Sequence, residues 1–447
     1  MLEEFGSSAV LALKMLQNSG FESYLVGGSV RDFLMKMPLG DKDITTNATP
    51  EEVRGVFSRF RVIDTGIRHG TVTVLIDGES IEITTYRCES AYSDNRRPDS
   101  VSFSKSFSDD VLRRDFTING IGLSIDSEIR DEVGGMADIE NRIIRAIGNP
   151  HARFSEDALR ILRAIRFASV LGFKIEENTE NALRETKELL KNISAERKRD
   201  ELLKLINGKN AEKVLLEYRD IIAVCIPEIE CEFDFEQHNR HHVFDVYTHS
   251  VKALSNAIED SNIRMALLLH DIGKPETAKF DEKGEMHFKC HAAVSCEIAD
   301  KILTDLRFSN AQKQEILTLI KYHDIPFMCE DMKNPSPKRI RRIVSNFGKD
   351  LSLKLLEIRR CDNLAQNPEY FLGKDFYGQC ERMIFEITDS GECLTLKDLR
   401  INGNDLLNSG FSGKKIGEVL NLCLQKVLDG DLPNDKAELL AFAEKLK

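Results

Sequence analysis

A short apolar run, Tyr24-Leu25-Val26, stops at Gly27-Gly28, and helical spacing takes over across 30–36. The hydrophobic period changes from two to 3.6 across two glycines, which reads as strand, turn and helix start. A segment of this kind forces a mixed α/β arrangement on the chain around it. Backbone N–H groups at the turn can approach an anion, the helix N-terminus adds positive potential, and Arg31 can make a forked phosphate contact. About a dozen residues after Gly28 come Asp41 and Asp43, expected on a second strand. A period of two then turns both carboxylates to one face, where they can hold divalent cations against a triphosphate. Gly-Gly alone is usually a turn and D-x-D alone a solvated pair; in this order they describe phosphoryl-transfer machinery.

Further along, Thr49-Pro50-Glu51-Glu52 carries the cap, first-turn proline and acids of a helix start. Runs 70–76 and 80–86, joined by Asp77-Gly78, predict a β-hairpin. Glu82 alternates with Ile81 and Ile83, so it points away from them. It is a third carboxylate if that face carries D-x-D, and a solvent-facing glutamate otherwise. Residues 88–110 are polar and aperiodic, predicting a long functional loop whose Tyr92 and Arg96-Arg97 contact nucleotide or RNA. Arg113-Arg114-Asp115-Phe116-Thr117-Ile118-Asn119 follows. From 157 to about 211 the pattern is helical, with Asp157, Arg160, Arg163 and Arg166 at three-residue steps along one polar stripe. Ser194 is expected to cap a later helix on which Arg197 and Glu201 pair at i,i+4.

The net charge of −12 disfavours a polyanionic partner on average, but binding needs only a local basic surface. Arg96-Arg97, Arg113-Arg114, Arg160/Arg163/Arg166, Arg197-Lys198-Arg199 and Lys338-Arg339-Ile340-Arg341-Arg342 supply five such patches. No run of 18 apolar residues exists, so no membrane span is expected. The ten cysteines form no C-x-x-C pair, and the acidic start Met-Leu-Glu-Glu argues against a signal peptide; both predict a cytoplasmic protein.

The turn with its D-x-D resembles the DNA polymerase β superfamily, and more narrowly motif A of the bacterial class II tRNA nucleotidyltransferases (CCA-adding enzymes) and their poly(A) polymerase relatives. R-R-D-F-T-x-N at 113–119 and E-D-x-x-R at 156–160 match that family's next motifs. The resemblance implies Asp41 and Asp43 as catalytic carboxylates holding two Mg²⁺, and Glu82 joins them as a third catalytic carboxylate if its face carries D-x-D. It implies Gly28, Arg31 and Arg114 on the triphosphate, and Asp115 and Asn119 ordering the sugar or the site. Asp157 and Arg160 would read the base, with Arg163 and Arg166 on the same nucleotide-binding helix. It also implies ATP, CTP and tRNA as partners, and ties the 88–110 loop to the switch from adding C to adding A.

A second constellation lies beyond. His249, the adjacent His270-Asp271 ending an apolar helix, and Asp362 fill the pattern of the HD superfamily of metal-dependent phosphohydrolases, with His291 and His323 as further candidates. Nitrogen and carboxylate donors suit Ni²⁺, Mn²⁺ or Co²⁺, and Lys274 would steady a phosphate.

The expected fold is α+β: a polymerase-β-like nucleotidyltransferase head (1–150), a helical neck (151–215), an all-α body with the HD domain (216–370) and an all-α, tRNA-binding tail (371–447). The expected function is template-independent addition of CCA to tRNA. Competing readings are a poly(A) or A-adding polymerase on the same fold, an HD phosphohydrolase whose N-terminal domain only binds nucleotide, and a non-catalytic RNA-binding protein.

Overall fold

The computed structural model describes residues 2–64, 66, 70–90, 100–330 and 334–447. It packs as two compact units, Met1–Pro227 and Glu228–Lys447.

Up to Arg130, the described residues of the first unit form nine strands: β1 (Ser23–Val26), β2 (Asp43–Thr46), β3 (Arg61–Ile63), β4 (Thr71–Ile76), β5 (Glu79–Thr85), β6 (Arg87–Ser90), β7 (Ser100–Phe103), β8 (Gly122–Leu123) and β9 (Ile129–Arg130). Seven form one sheet in the order β3-β4-β5-β2-β1-β8-β9. Its pairings are antiparallel except β2 with β5, which run parallel. Helix α1 (Ser7–Asn18) and, after α2 (Gly28–Leu34), α3 (Pro50–Val56) pack against it. Alternation decides which side they cover: Val72, Val74 and Ile76 of β4 and Ile81 and Ile83 of β5 are fully buried, with Leu13, Leu16, Leu25 and Ile44. The opposite side of β5 carries exposed Glu82.

Local chemistry explains the joints. Asp77 and Gly78 both take positive φ (+50° and +85°), as the tight turn of a β4–β5 hairpin requires. Thr49 accepts from the Glu52 N–H while Glu52 reaches back to Thr49, closing a capping box over Pro50. The 88–110 segment departs from expectation: β6 and β7 form an antiparallel ribbon, and helix α4 (Phe107–Leu112) follows. Tyr92, Arg96 and Arg97 lie outside the described residues.

After α5 (Gly135–Asn141) the unit is helical: α6 (Pro150–Glu156), α7 (Leu159–Leu171), α8 (Glu177–Thr186), α9 (Ala195–Ile206), α10 (Ala211–Glu217) and α11 (Arg219–Cys225). Two local expectations are corrected in this stretch. Ser194 sits at the N-cap of α9, but its side chain accepts no capping hydrogen bond. Arg197 and Glu201 do not pair with each other, because each pairs outside α9: Arg197 with Asp157 in the joint between α6 and α7, and Glu201 with Arg166 on α7.

The second unit is almost entirely α: α12 (Val246–Ser255), α13 (Ser261–Leu269), α14 (Lys274–Thr277), α15 (His291–Asp305), α16 (Asn310–Lys321), α17 (Pro337–Ala365), α18 (Lys374–Asp389), α19 (Gly403–Asn408), α20 (Lys414–Leu428) and α21 (Lys436–Glu444). The Asn402 side chain caps α19 in a box with Asp405. The last three helices close a core of their own around Leu406, Phe411, Cys423 and Leu439. The basic run at 338–342 serves this packing. Lys338 and Arg342 pair with Asp429, Arg341 pairs with Glu392, and Arg339 donates to the Met328 carbonyl.

The two caps separate in a stability measurement. Thr49→Ala removes a cap that exists and is expected to cost about 1 kcal/mol, whereas Ser194→Ala removes none and is expected to leave urea unfolding unchanged. Equal losses in the two variants would contradict the assignment.

Candidate active sites

In the first unit, β1 ends at Val26 and the chain turns through Gly27 at φ +77° into α2. Only glycine adopts that backbone readily, and its bare Cα lies against two charged groups. A Cβ there would stand 3.6 Å from Asp43 Oδ2 and 3.9 Å from Arg114 Nη1. Asp43 opens β2 directly opposite Glu82 of β5, and residues so paired share a face of the sheet. The structure therefore puts Glu82 on the Asp43 face. Asp41 is corrected: it precedes β2 in an exposed loop instead of sharing the strand. Its charge still reaches Asp43. The Asp43 carboxyl is pushed up to about 6 by burial, then by Glu82 and by Asp41, against the opposing pull of Arg114.

Arg113 donates from Nε and Nη2 to Asp110 Oδ1, and Arg114 donates from Nη2 to Oδ2; Asp110 is fully buried and also accepts from the Thr45 hydroxyl. Burial alone raises the Asp110 pKa, but the two arginines outweigh it and hold it below the usual range. From α2 a chain of buried polar contacts runs to α7. Arg31 donates to Asp32 and, at 2.8 Å, to Asn119 Oδ1; Asn119 donates to Asp115 Oδ1 at 3.1 Å; Arg163 forks onto Asp115 Oδ2 at 2.8 and 2.6 Å. Asp115 is buried, which raises its pKa, yet Arg163 and Asn119 hold it well below the ordinary range. Removing either member of such a pair typically costs about 3–5 kcal/mol. The guanidinium of Arg166 lies 3.9 Å from the Phe167 ring centroid and pairs with Glu201 at 2.6 Å.

Asp157 is corrected too. The three-residue spacing put it on the helix with Arg160, but α7 starts at Leu159 and Asp157 is the extended joint behind α6 (φ −135°, ψ 101°). Its Oδ1 accepts from the Leu159 N–H and Arg197 Nη1, and its Oδ2 accepts from Arg197 Nη2. Arg160 Nη1 donates to the Arg153 carbonyl and Glu156, and Nη2 to the Arg113 carbonyl. With five N–H groups on a guanidinium, two donors remain on Arg160, at Nε and Nη2.

In the second unit six expected residues converge. His249 lies on α12, His270 and Asp271 at the end of α13, His291 at the start of α15, His323 just after α16, and Asp362 on α17. His249 Nε2 is 3.0 Å from Asp362 Oδ1 and 3.4 Å from Asp271 Oδ2; His291 Nε2 is 3.1 Å from His323 Nε2 and 3.4 Å from Asp271 Oδ1. His249, His270 and Asp362 place ligand atoms within 4.8 Å of one another, as do His270, Asp271 and His323. His270 Nε2 and both Asp271 oxygens are buried with no hydrogen bond of proper geometry. Asp271 and Asp362 are held far below the carboxylate range despite burial, chiefly by the neighbouring imidazoles, while Asp271 and Asp362 raise His270 to about 10 against its burial. Lys274 sits 2.6 Å from Asp271. Asp271, His291, His323 and Asp362 line a cavity of about 420 Å³.

Comparison with known proteins bears on both units. The Poly A polymerase head domain family matches residues 23–145, the probable RNA- and SrmB-binding site of polymerase A matches 172–232, and the tRNA nucleotidyltransferase domain 2 family (putative) matches 282–443. A CCA-adding enzyme of Ligilactobacillus salivarius is 32% identical over 99% of this chain and 97% of its own length. The chain belongs to the CCA-adding enzyme family. Another member, from Lactobacillus helveticus, is 51% identical over 47% of this chain, a match spanning 53% of that protein. The Bacillus stearothermophilus CCA-adding enzyme, solved in complex with CTP, superposes with a TM-score of 0.75 at 28% identity, covering 100% of this chain and 98% of that one. The α+β class expected from the sequence, with its N-terminal sheet, matches the fold of these enzymes.

Several residues of both sites escaped the sequence reading. Asp110, the shared anchor of Arg113 and Arg114, gave no signal beyond its i,i+4 spacing from Arg114. His242 and Arg359 reach the His/Asp cavity from a polar loop and from α17. Asp324, 3.4 Å from His323, could have been found, because His323-Asp324 repeats the adjacency of His270-Asp271.

The burden on Asp43 has a measurable sign. Its pKa is raised on folding, so the cost of its ionised form is full above about 6 and disappears below the unfolded value near 4. In metal-free protein Asp43→Asn is therefore expected to raise stability at pH 8 by up to about 3 kcal/mol, with the gain shrinking to nothing by about pH 4. A gain independent of pH would refute burial and charge crowding at Asp43 as its cause.

Proposed function

We propose that this protein adds CCA to the 3′ end of tRNA without a template, using CTP and ATP. The observation that carries the reading is the face shared by Asp43 and Glu82, bordered by Arg114 and the Gly27 turn, in a chain matching a CCA-adding enzyme over nearly its whole length. Carboxylate oxygens crowded enough to raise one pKa fit a hard divalent cation, and nucleotidyltransferases of this fold use such metals. Asp41 and Asp43 would hold Mg²⁺, with Glu82 beside them; when bound, Mg²⁺ makes the RNA 3′-hydroxyl more acidic and offsets charge on the leaving pyrophosphate.

The chain's own residues supply the rest. Gly28, Arg31 and Arg114 face the triphosphate, and Asp115 with Asn119 orders the sugar side through the Arg31–Asn119–Asp115–Arg163 chain. C and A offer an exocyclic amine donor beside a ring-nitrogen acceptor; U and G offer a carbonyl beside an N–H. Asp157 only accepts and Arg160 only donates, so the pair complements C and A and leaves a wrong base unpaired at about 1–3 kcal/mol per group. The first 150 residues act as head, 151–215 as neck, 216–370 as body and 371–447 as a tRNA-binding tail.

The second unit supports a metal-dependent phosphohydrolase. His270 Nε2 and the Asp271 oxygens, which make no hydrogen bond of proper geometry, fit a nitrogen- and oxygen-liganded Ni²⁺, Mn²⁺ or Co²⁺ held by His249, His270, Asp271 and Asp362, with His291 and His323 in reach. Such an ion, when bound, supplies an activated water and polarises a phosphoryl oxygen. Lys274 steadies the phosphate.

The assay is purified protein, tRNA ending before CCA, and labelled CTP and ATP supplied separately and together. C addition from CTP and A addition only after it are expected; A addition that ignores CTP would make it an A-adding polymerase. Asp43→Ala is expected to lower addition by at least about a thousandfold while metal-dependent hydrolysis of a phosphate ester persists, and Asp271→Ala to do the reverse. Loss of both activities in either folded variant would defeat the picture of two independent sites.

A further inference from the structure

Asp157 is placed where its own backbone cannot aim it. It is an extended joint between α6 and α7: its N–H bonds the Arg153 carbonyl, its carbonyl accepts from the Arg160 N–H, and of its side chain only Oδ1 is held locally, by the Leu159 N–H. What fixes it comes from α9. Arg197 forks onto both carboxylate oxygens, at 3.2 Å to Oδ1 and 2.8 Å to Oδ2. Forked guanidinium–carboxylate pairing sets direction as well as distance.

Arg197 is itself held, because α9 and the turn after it are fastened to α7 at three points. Glu201 pairs with Arg166 at 2.6 Å, and the Ser169 hydroxyl donates to the Leu205 carbonyl at 2.7 Å. The backbone of Gly208 approaches so closely that a Cβ there would lie 2.1 Å from Ser169 Oγ. The Arg197 guanidinium therefore projects from a fixed platform.

A carboxylate has roughly four acceptor directions. The Leu159 N–H and the two Arg197 contacts use three, which leaves one, on Oδ2. We infer that Arg197 is a positioning residue for base selection: by consuming the spare acceptor directions of Asp157 it leaves one correctly aimed acceptor, and so prevents the carboxylate from turning to accept the ring N–H of U or G. The inference rests on the reading of Asp157 and Arg160 as the base-reading pair.

The test measures kcat and KM for CTP and UTP on tRNA ending before CCA, in Arg197→Met, Arg197→Lys, Asp157→Ala, the Arg197→Met/Asp157→Ala double variant, and Glu201→Gln as a control on the same platform. Arg197→Met is expected to lower the CTP-to-UTP ratio of kcat/KM about tenfold or more. Arg197→Lys, which keeps the charge without the fork, should lose discrimination while retaining most of the kcat for CTP. The double variant should discriminate no worse than Asp157→Ala alone, and Glu201→Gln should keep the wild-type ratio. If Asp157→Ala lowers the ratio and folded Arg197→Met or Arg197→Lys does not, the inference is overturned. If Asp157→Ala also leaves the ratio unchanged, the base-reading assignment fails, and the inference fails with it.

Discussion

Two carboxylates set opposite each other on neighbouring parallel strands repel, and the first unit is arranged around that repulsion. Paired residues on adjacent strands stand about 5 Å apart, where two like charges near a protein surface cost about 3 kcal/mol. That repulsion adds to burial, the larger cause: the Asp43 carboxyl is pushed up to about 6 by burial first, then by Glu82 and Asp41, against the pull of Arg114. Fully buried Ile44, Ile81 and Ile83 on the other side of the same strands hold the two chains in register, so the charges cannot relax apart. The site is acidic because the core behind it is well packed.

Arginines then organise what surrounds the carboxylates. Among the described residues, few of the basic patches visible in the sequence stand free in the fold. Arg113 and Arg114 share Asp110, Arg163 holds Asp115, Arg166 holds Glu201, and Arg197 holds Asp157. Basic residues counted as a surface for polyanions are largely internal cross-links that aim acidic and amide groups. The same applies to 338–342, which fastens the start of α17 to Asp429 and Glu392. A net charge of −12 is thus compatible with this fold for a reason that composition does not reveal.

What the sequence made legible follows the range of the interaction concerned. The hairpin 71–85, the Thr49 cap and the strand–glycine–helix turn are local, set by period and turn chemistry, and each lies where those rules predict. His270-Asp271 was legible because an apolar helix ending in two ligands is a local pattern. Asp41 was misplaced because a period of two was carried one residue pair past the true start of β2. Asp157 was misplaced because three-residue spacing does not record where a helix begins. Arg197 was misread for a related reason: an i,i+4 partner is visible in sequence, whereas one on a neighbouring helix is not. His242 was missed because its loop has no periodicity to anchor it.

The central claim is that Asp43 carries an uncompensated charge which a divalent cation relieves, and its carboxyl titration reads that directly. Carbon-13 NMR of Asp43, with Asp43→Asn for assignment, is expected to show a midpoint near 6 in metal-free protein. With saturating Mg²⁺ and CTP the midpoint should fall well below that value. An ordinary carboxylate midpoint near 4, unmoved by Mg²⁺, would contradict the account.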